Sequence, residues 1–446
     1  MTKRLPLLLA VLALSALGGN FIIKNFLAAS LIAYGQQGEG LDAAVQYAPA
    51  NAEVLAAQAR YLLYRADPPR VEEAIADLQR AVQASSHDYR YPLELGKAYS
   101  SDGQLQQAET FLQRSVELAP RYFEPRWTLA NLRLRAGKTE PALKDFREAI
   151  ALSGSLYGSA APPPDRNVML SALNTVTGAL GMNLDALRAV TPPEAAAQAY
   201  LAEFFATHDA MDQALEIWRR LPSSGVDAEP NSYRNLGVQL LRELQSNNRF
   251  GEAREVWAKF TAIEGAAVSD SGNLIFNPGF EQAPLSERFD GLLDPPAGFD
   301  WIIRRHPEVR VSRTNEAVHS GAYSVHLNFA ATMGSEFQQI SQSVGVEPSR
   351  QYRLSYFVKT QNISPLPHEA PFIEITDAVN PAVFSLRSVV PSGTANWNEQ
   401  SIAFTTTANT HGIKLAIRSP QVKVDRTRIA ELWLDDFKLI GVEPRP

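Results

Sequence analysis

The chain has 446 residues, 45% hydrophobic and 20% charged, which supports several packed domains and excludes a wholly disordered chain. Forty-two Lys and Arg against 48 Asp and Glu give a net charge of −6, so no basic excess exists to neutralise phosphates, which argues against nucleic acid as a partner. Cysteine is absent, which removes disulfides, Cys-ligated metals, a thiol nucleophile and a lipid-modified cysteine.

Lys3 and Arg4 precede an apolar run from Leu5 to Gly19, which Phe21, Ile22 and Ile23 extend. The run lies between the ~7–15 apolar residues of a signal peptide and the ~20 of a membrane span. Asn20 interrupts it, and Leu14-Ser15-Ala16 is a poor cleavage site. The charges in front predict the N-terminus inside and the remainder exported. Residues 1–35 therefore read as an anchor and first helix, holding the protein at a bacterial-type inner membrane and facing the periplasm. A cleaved signal, giving a secreted protein, and a buried first helix are the alternatives.

Residues 36–264 are rich in Ala, Leu, Gln, Glu and Arg, a helix-forming composition. Leu95-Gly96-x-x-Tyr99 is followed by Ala108, Leu112, Ser115 and Pro120. A step of 34 residues forward gives Ala142, Phe146, Ala149 and Gly154, and one of 34 back gives Ala74, Leu78 and Ala81. Positions i, i+4 and i+7 form one helical face, and a helix pair with such a face must stack on its neighbours to bury it. Later, Ala214/Trp218/Leu221 and Ala253/Trp257/Phe260 repeat the face 39 apart. Ser159–Asp165 is a Pro-rich loop, and Thr191-Pro192-Pro193-Glu194 reads as a helix cap and first turn.

This pattern resembles the tetratricopeptide repeat, strongly over 55–154 and moderately over 195–264. The resemblance implies a superhelical groove that docks a protein partner, lined by Arg60, Tyr64, Lys97, Ser101, Arg126, Asn131 and Arg133. The alternative for each is a solvated helix face.

Composition changes near Gly265, and 265–272 reads as a linker. Alternating segments follow at Ser324–Phe329, Tyr352–Val358, Phe372–Ile375, Gln400–Thr405, Ile413–Ile417 and Leu432–Leu439. Their period of two predicts an antiparallel β-sandwich over 273–446. The whole chain is then multidomain α + β, an α-solenoid of tetratricopeptide-like helix pairs followed by an antiparallel sandwich of the jelly-roll type.

Asn273–Glu281, Gly298-Phe-Asp-Trp301, His319–Ser324, Gln339–Lys359, Trp397–Phe404 and Glu431–Leu439 occur in the order of motifs in carbohydrate-binding modules with a galactose-binding-like fold. On that resemblance, Asn273–Glu281 is an opening strand. It also implies one structural Ca2+ held by Glu281, Asp435, Asp436 and backbone oxygens near Ser320–Gly321. The alternative is that these carboxylates cap strand ends without a metal. Glycan binding would use the aromatic faces of Tyr323, Phe337, Tyr356, Phe372 and Trp301, with Gln338, Gln342 and Asn328 as polar partners. Trp397 and Trp433 read as core residues of the framework.

No GxSxG, HExxH, Walker loop or strand-linked GxGxxG is present, so the chain reads as non-catalytic. The expectation is an exported, membrane-anchored binding protein of envelope or extracellular polysaccharide assembly, its repeats docking a protein and its sandwich a glycan. The alternative is a pure protein–protein scaffold of an envelope assembly or secretion complex, whose sandwich binds no sugar. Residues 273–446 hold 16 basic and 18 acidic residues, leaving 26 and 30 before them, so no strongly basic domain is hidden by averaging.

Overall fold

The computed structural model describes residues 5–34, 38–154, 164–222, 230–263, 272–284, 298–330, 333–421 and 430–442. The chain divides into two compact units, Met1–Leu201 and Ala202–Pro446. Helix pairs come first and two antiparallel sheets last, the architecture expected from the sequence.

The first unit contains α1 (Leu5–Tyr34), α2 (Gly38–Tyr47), α3 (Ala52–Tyr64), α4 (Val71–Ala84), α5 (Arg90–Ser101), α6 (Leu105–Leu118), α7 (Phe123–Arg135), α8 (Thr139–Ser153), α9 (Arg166–Leu180) and α10 (Leu184–Val190). The division between units falls inside α11 (Ala195–Ala206). The 34-residue register holds: Ala74, Leu78 and Ala81 of α4, Ala108, Leu112 and Ser115 of α6, and Ala142, Phe146 and Ala149 of α8 are all fully buried. Gly96 shows why the first helix of a pair needs a small residue, since a Cβ there would lie 2.6 Å from Leu112 Cγ. Ser115 Oγ donates to the Tyr89 carbonyl at 2.8 Å, tying α6 back to the entry of α5. Asn51 and Asp165 cap α3 and α9 by accepting from first-turn N–H groups.

Of the Pro-rich loop Ser159–Asp165, only Pro164 and Asp165 are among the described residues. Thr191 is the C-cap of α10, its hydroxyl donating to the Leu187 carbonyl, and does not open the next helix as its sequence context predicts. The end of α1 packs Ala28 against Ala44, Ala48 and Val54, while Ile22, Ile23, Phe26 and Leu27 are exposed. The side chains of 5–14, which carry most of the expected anchor, lie outside the description. Among the described residues no helix is long and apolar enough to cross a membrane.

The second unit opens with α12 (Met211–Arg220), α13 (Pro230–Ser246) and α14 (Phe250–Ile263). Both predicted faces, Ala214/Trp218/Leu221 and Ala253/Trp257/Phe260, are buried. Helix α14 packs directly on the sandwich. Trp257 meets Phe276 and Phe299 edge-on at 5.3 and 6.1 Å, and Asn248 Nδ2 donates to the Asn409 carbonyl at 3.1 Å. The Phe250 ring lies so close over Gly412 that any Cβ there would overlap it. Of the expected linker 265–272, only Gly272 is described.

The strands are β1 (Ile302–Ile303), β2 (Val309–Thr314), β3 (Ser324–Phe329), β4 (Phe337–Gly345), β5 (Gln351–Ile363), β6 (Phe372–Asp377), β7 (Ser385–Val389), β8 (Gly393–Thr405), β9 (Gly412–Ser419) and β10 (Ala430–Gly441). One sheet runs β1-β4-β9-β6-β7 and the other β2-β3-β10-β5-β8, all pairs antiparallel. The six alternating segments all lie in strands; β1, β2, β4 and β7 are additional, β4 falling within the motif Gln339–Lys359. Asn273–Glu281 is not a strand. Asn277 and Phe280 take φ of 49° and 58°, which breaks an extended run. Asn273 instead clamps this segment to β10, accepting from the Leu439 N–H and donating to the Phe437 carbonyl.

Candidate functional site

In the helical unit, the expected groove cations are paired. Arg60 bridges Glu53 and Glu94 at 2.9 and 2.7 Å, Lys97 meets Glu124 at 2.6 Å, and Arg126 pairs with Glu148. Arg133 reaches Glu109 and Asp145 at 2.9 and 2.6 Å, and Gln113 at 3.1 Å. Burial pushes the Glu94 and Asp145 carboxyls upward, and the facing arginines pull them back. Asn131 and Ser101 donate within their own helices, to the carbonyls of Trp127 and Lys97. Tyr64 is 67% exposed. With Lys97, Ser101, Thr128 and Arg135 it lines a cavity of about 270 Å³, so three of the seven expected residues share one hollow.

In the sandwich, the expected metal residues do come together. Asp435 is fully buried and accepts from the N–H groups of His319 and Ser320 at 2.9 and 3.2 Å. Asp436 accepts from Ser320 Oγ and His319 Nδ1 at 2.7 and 2.6 Å. Glu281 takes the Ala322 N–H on both oxygens, at 3.0 and 3.1 Å. Gly321, at φ +67°, passes so close to Glu281 that a side chain would strike the carboxylate. Burial holds the Asp435 carboxyl up at about 6 against its three N–H bonds, and the neighbouring Asp436 charge adds to the rise.

Asp435 Oδ1, Glu281 Oε1 and Asp436 Oδ1 lie 3.1, 3.6 and 3.7 Å from the point a Cβ of Gly279 would occupy. Such oxygens suit a hard cation. Each already accepts a hydrogen bond, however, and among the described residues no group of three or more His, Asp or Glu is spaced to hold a metal ion. The donor chemistry fits calcium. The spacing would fit only after the oxygens were drawn off the loop.

The expected sugar-stacking residues are dispersed. Trp301, Phe337 and Tyr356 are fully buried in the sandwich core, where no ligand ring can reach them. Trp301 stacks on Phe280 at 4.8 Å, and the Tyr356 hydroxyl pairs with Ser388 Oγ. Phe372 lies outside that core cluster but is 8% exposed, with the Arg387 guanidinium 4.4 Å above it. Tyr323 is half-buried under Arg313 at 3.9 Å. Of the polar partners, Gln342 is buried and bonded to the Phe276 backbone, Gln338 is exposed on β4, and Asn328 is half-buried on β3.

Sequence reasoning missed the aromatics of the outer face of β2-β3-β10-β5-β8. Trp433 points away from the core residues Leu432 and Leu434. It stacks on His326 at 4.5 Å and 4°, beneath the Lys359 ammonium at 5.2 Å. His319 lies flat on Phe357 at 3.5 Å and edge-on to the half-buried Trp397 at 5.8 Å. Trp397 and Trp433 therefore lie on the outer side of the sheet and not in the inter-sheet cluster; Trp397 is half-buried, while Trp433 is buried as expected, 9% exposed beneath its neighbours. The signal was available in the alternation of β10, where Trp433 falls out of phase with the flanking leucines.

The molecule is thus defined as a helical-repeat protein with a C-terminal antiparallel sandwich. A tetratricopeptide repeat model matches residues 93–122, which span most of α5 and all of α6. The sandwich is similar to a family 16 carbohydrate-binding module, at 18% identity over 38% of this chain and 99% of that one, with a TM-score of 0.25. It is also similar to the CBM22-1 xylan-binding domain of Paenibacillus barcinonensis Xyn10C, at 15% over 40% and 100%, TM-score 0.25. The helices are similar to PilF of Pseudomonas aeruginosa, at 15% over 48% and 95%, TM-score 0.31. At these scores the likenesses carry no functional argument, and the fold class rests on the topology above. No curated protein sequence matches the chain.

Proposed function

We propose that the chain is a non-catalytic binding protein whose helical repeats dock a protein partner and whose sandwich binds a glycan. The observation that carries the glycan half is the aromatic outer face of one sheet: half-buried Phe357 and Trp397 beside His319, with Trp433 and His326 stacked as its floor. Pyranose rings present C–H faces that pack on such rings, and the surrounding Gln361 and Glu399 offer hydrogen-bonding groups for hydroxyls. The protein half is supported by the Tyr64 hollow, an aromatic lip over a polar pocket.

Export and membrane attachment through α1 belong to the same reading, supported by the apolar run Leu5–Gly19 behind Lys3 and Arg4 and by the exposed Ile22, Ile23, Phe26 and Leu27. Envelope or extracellular polysaccharide assembly is the process this combination suits. One structural Ca2+ at Glu281, Asp435 and Asp436 belongs to the same reading, supported by the convergence of these three carboxylates beside Gly279.

Affinity electrophoresis of the full chain through gels containing single glycans tests the reading. Retardation by at least one glycan, reduced in Trp397→Ala, is the expected result. Unchanged migration across acidic and neutral glycans alike would leave a pure protein–protein scaffold. Fractionation of cells into soluble and membrane pools tests attachment.

A further inference from the structure

A second feature of the sandwich lies where its two sheets part. Strands β1 and β2 are edge strands of opposite sheets. Between them opens a cavity of about 700 Å³, lined by Arg304, Arg305, His306, Glu308, Arg310 and Asn328 among others. Among the described lining residues there is one carboxylate, and Arg304 is already engaged, so the charges in question are Arg305 and Arg310. That carboxylate is engaged elsewhere: Glu308 accepts from the Gly334 N–H on both oxygens, at 2.9 and 3.0 Å. Those bonds hold it below the usual carboxylate range.

His306 accepts the Glu308 N–H on Nδ1 at 3.1 Å and faces Ser335 Oγ with Nε2. Among the described residues, Arg305 and Arg310 have no carboxylate within ion-pair distance, and both are exposed. The sandwich as a whole carries more acidic than basic residues, so this concentration of cations is local.

The cavity is continuous with the aromatic face. Arg310 on β2 pairs with Asn328 on β3, which pairs with Glu431 on β10. The next outward row is Ser312, His326, Trp433 and Lys359. Adjacent strands are about 4.8 Å apart, so Arg310 and Trp433 are roughly two strand spacings and one outward row apart. A polymer crossing the aromatic face would reach the arginines within a few sugar units.

We propose that the arginine cavity between β1 and β2 binds an oxyanion substituent, a carboxylate or sulfate, of an acidic polysaccharide whose neighbouring sugars lie on the Trp433–Trp397 face. The inference rests on the glycan reading above and gives it a substrate class. Guanidinium pairs with such oxyanions in a planar, two-bond geometry, and the neutral Asn328 amide is left to meet a hydroxyl.

The test is affinity electrophoresis of the full chain in polygalacturonate, in a sulfated galactan and in neutral galactomannan. The Arg305→Ala/Arg310→Ala variant is compared with the wild type and with Arg114→Ala/Lys144→Ala, which makes the same charge change in the helical unit. Both replaced arginines of the cavity are exposed, and melting curves check that the fold is kept. The expected result is retardation by an acidic polymer that weakens with salt and falls about tenfold or more in the cavity variant only. The two acidic gels separate carboxylate from sulfate. Equal retardation of wild type and cavity variant overturns the proposal. Retardation by galactomannan alone overturns it and leaves the glycan reading standing, while retardation by none of the three overturns both.

Discussion

Charge is arranged differently in the two units. Along α3 to α8, each expected groove cation meets an acid, in part across the repeat step, as when Arg60 reaches Glu94 34 residues on. In the sandwich, three arginines gather at one edge while the nearby Glu308 serves the backbone. The paired helical surface has little long-range field, so the partner proposed for it would be selected by shape and aromatic contact. At the sandwich edge Arg305 and Arg310 have no carboxylate partner among the described residues, and the anion attraction proposed for them would be salt-dependent. The aromatic residues differ in the same sense: Tyr64 stands free at a hollow, while Trp301, Phe337 and Tyr356 hold two sheets together.

The largest test of that contrast is Trp301→Ala. Removing a fully buried indole should cost about 3–5 kcal/mol, seen as an early sandwich transition in urea denaturation followed by fluorescence. A stable variant with weakened glycan binding would instead restore Trp301 as a ligand contact. Calcium comes next. At roughly 100 times its dissociation constant it should stabilise the sandwich by about 2.7 kcal/mol, reversibly with chelator, and Asp435→Asn should abolish the gain. A melting temperature indifferent to calcium would assign Glu281, Asp435 and Asp436 to loop pinning alone.

In the helical unit, Gly96→Val must displace Leu112 and should cost about 1–3 kcal/mol by the same urea assay, with the sandwich transition unmoved. The smallest effect belongs to Arg60→Ala. A partly exposed ion pair contributes about 0–1 kcal/mol, so a larger loss would show that the charge ladder, rather than apolar stacking, holds neighbouring repeats together.

The helical register was legible because it is local. Ala108, Leu112 and Ser115 share a face by the geometry of one helix, and no distant residue can change that. The strands were legible for the same reason, through their alternation. Glu281, Asp435 and Asp436 converge as their motifs implied, although the first lies in a non-strand segment clamped by Asn273.

The sequence by itself therefore determined the two fold classes, their order and the buried faces of α4, α6, α8, α12 and α14. Only the tertiary structure decided which side of each strand faces the second sheet. A period of two says that Trp433 and Leu434 point in opposite directions, and it takes the second sheet to say which direction is covered. The arginine cavity had only a weak sequence signal, a short basic run. Residues 301–314 hold four arginines against one glutamate, but a basic run alone does not make a site; it becomes one because β1 and β2 end as edges of two different sheets and leave a gap between them.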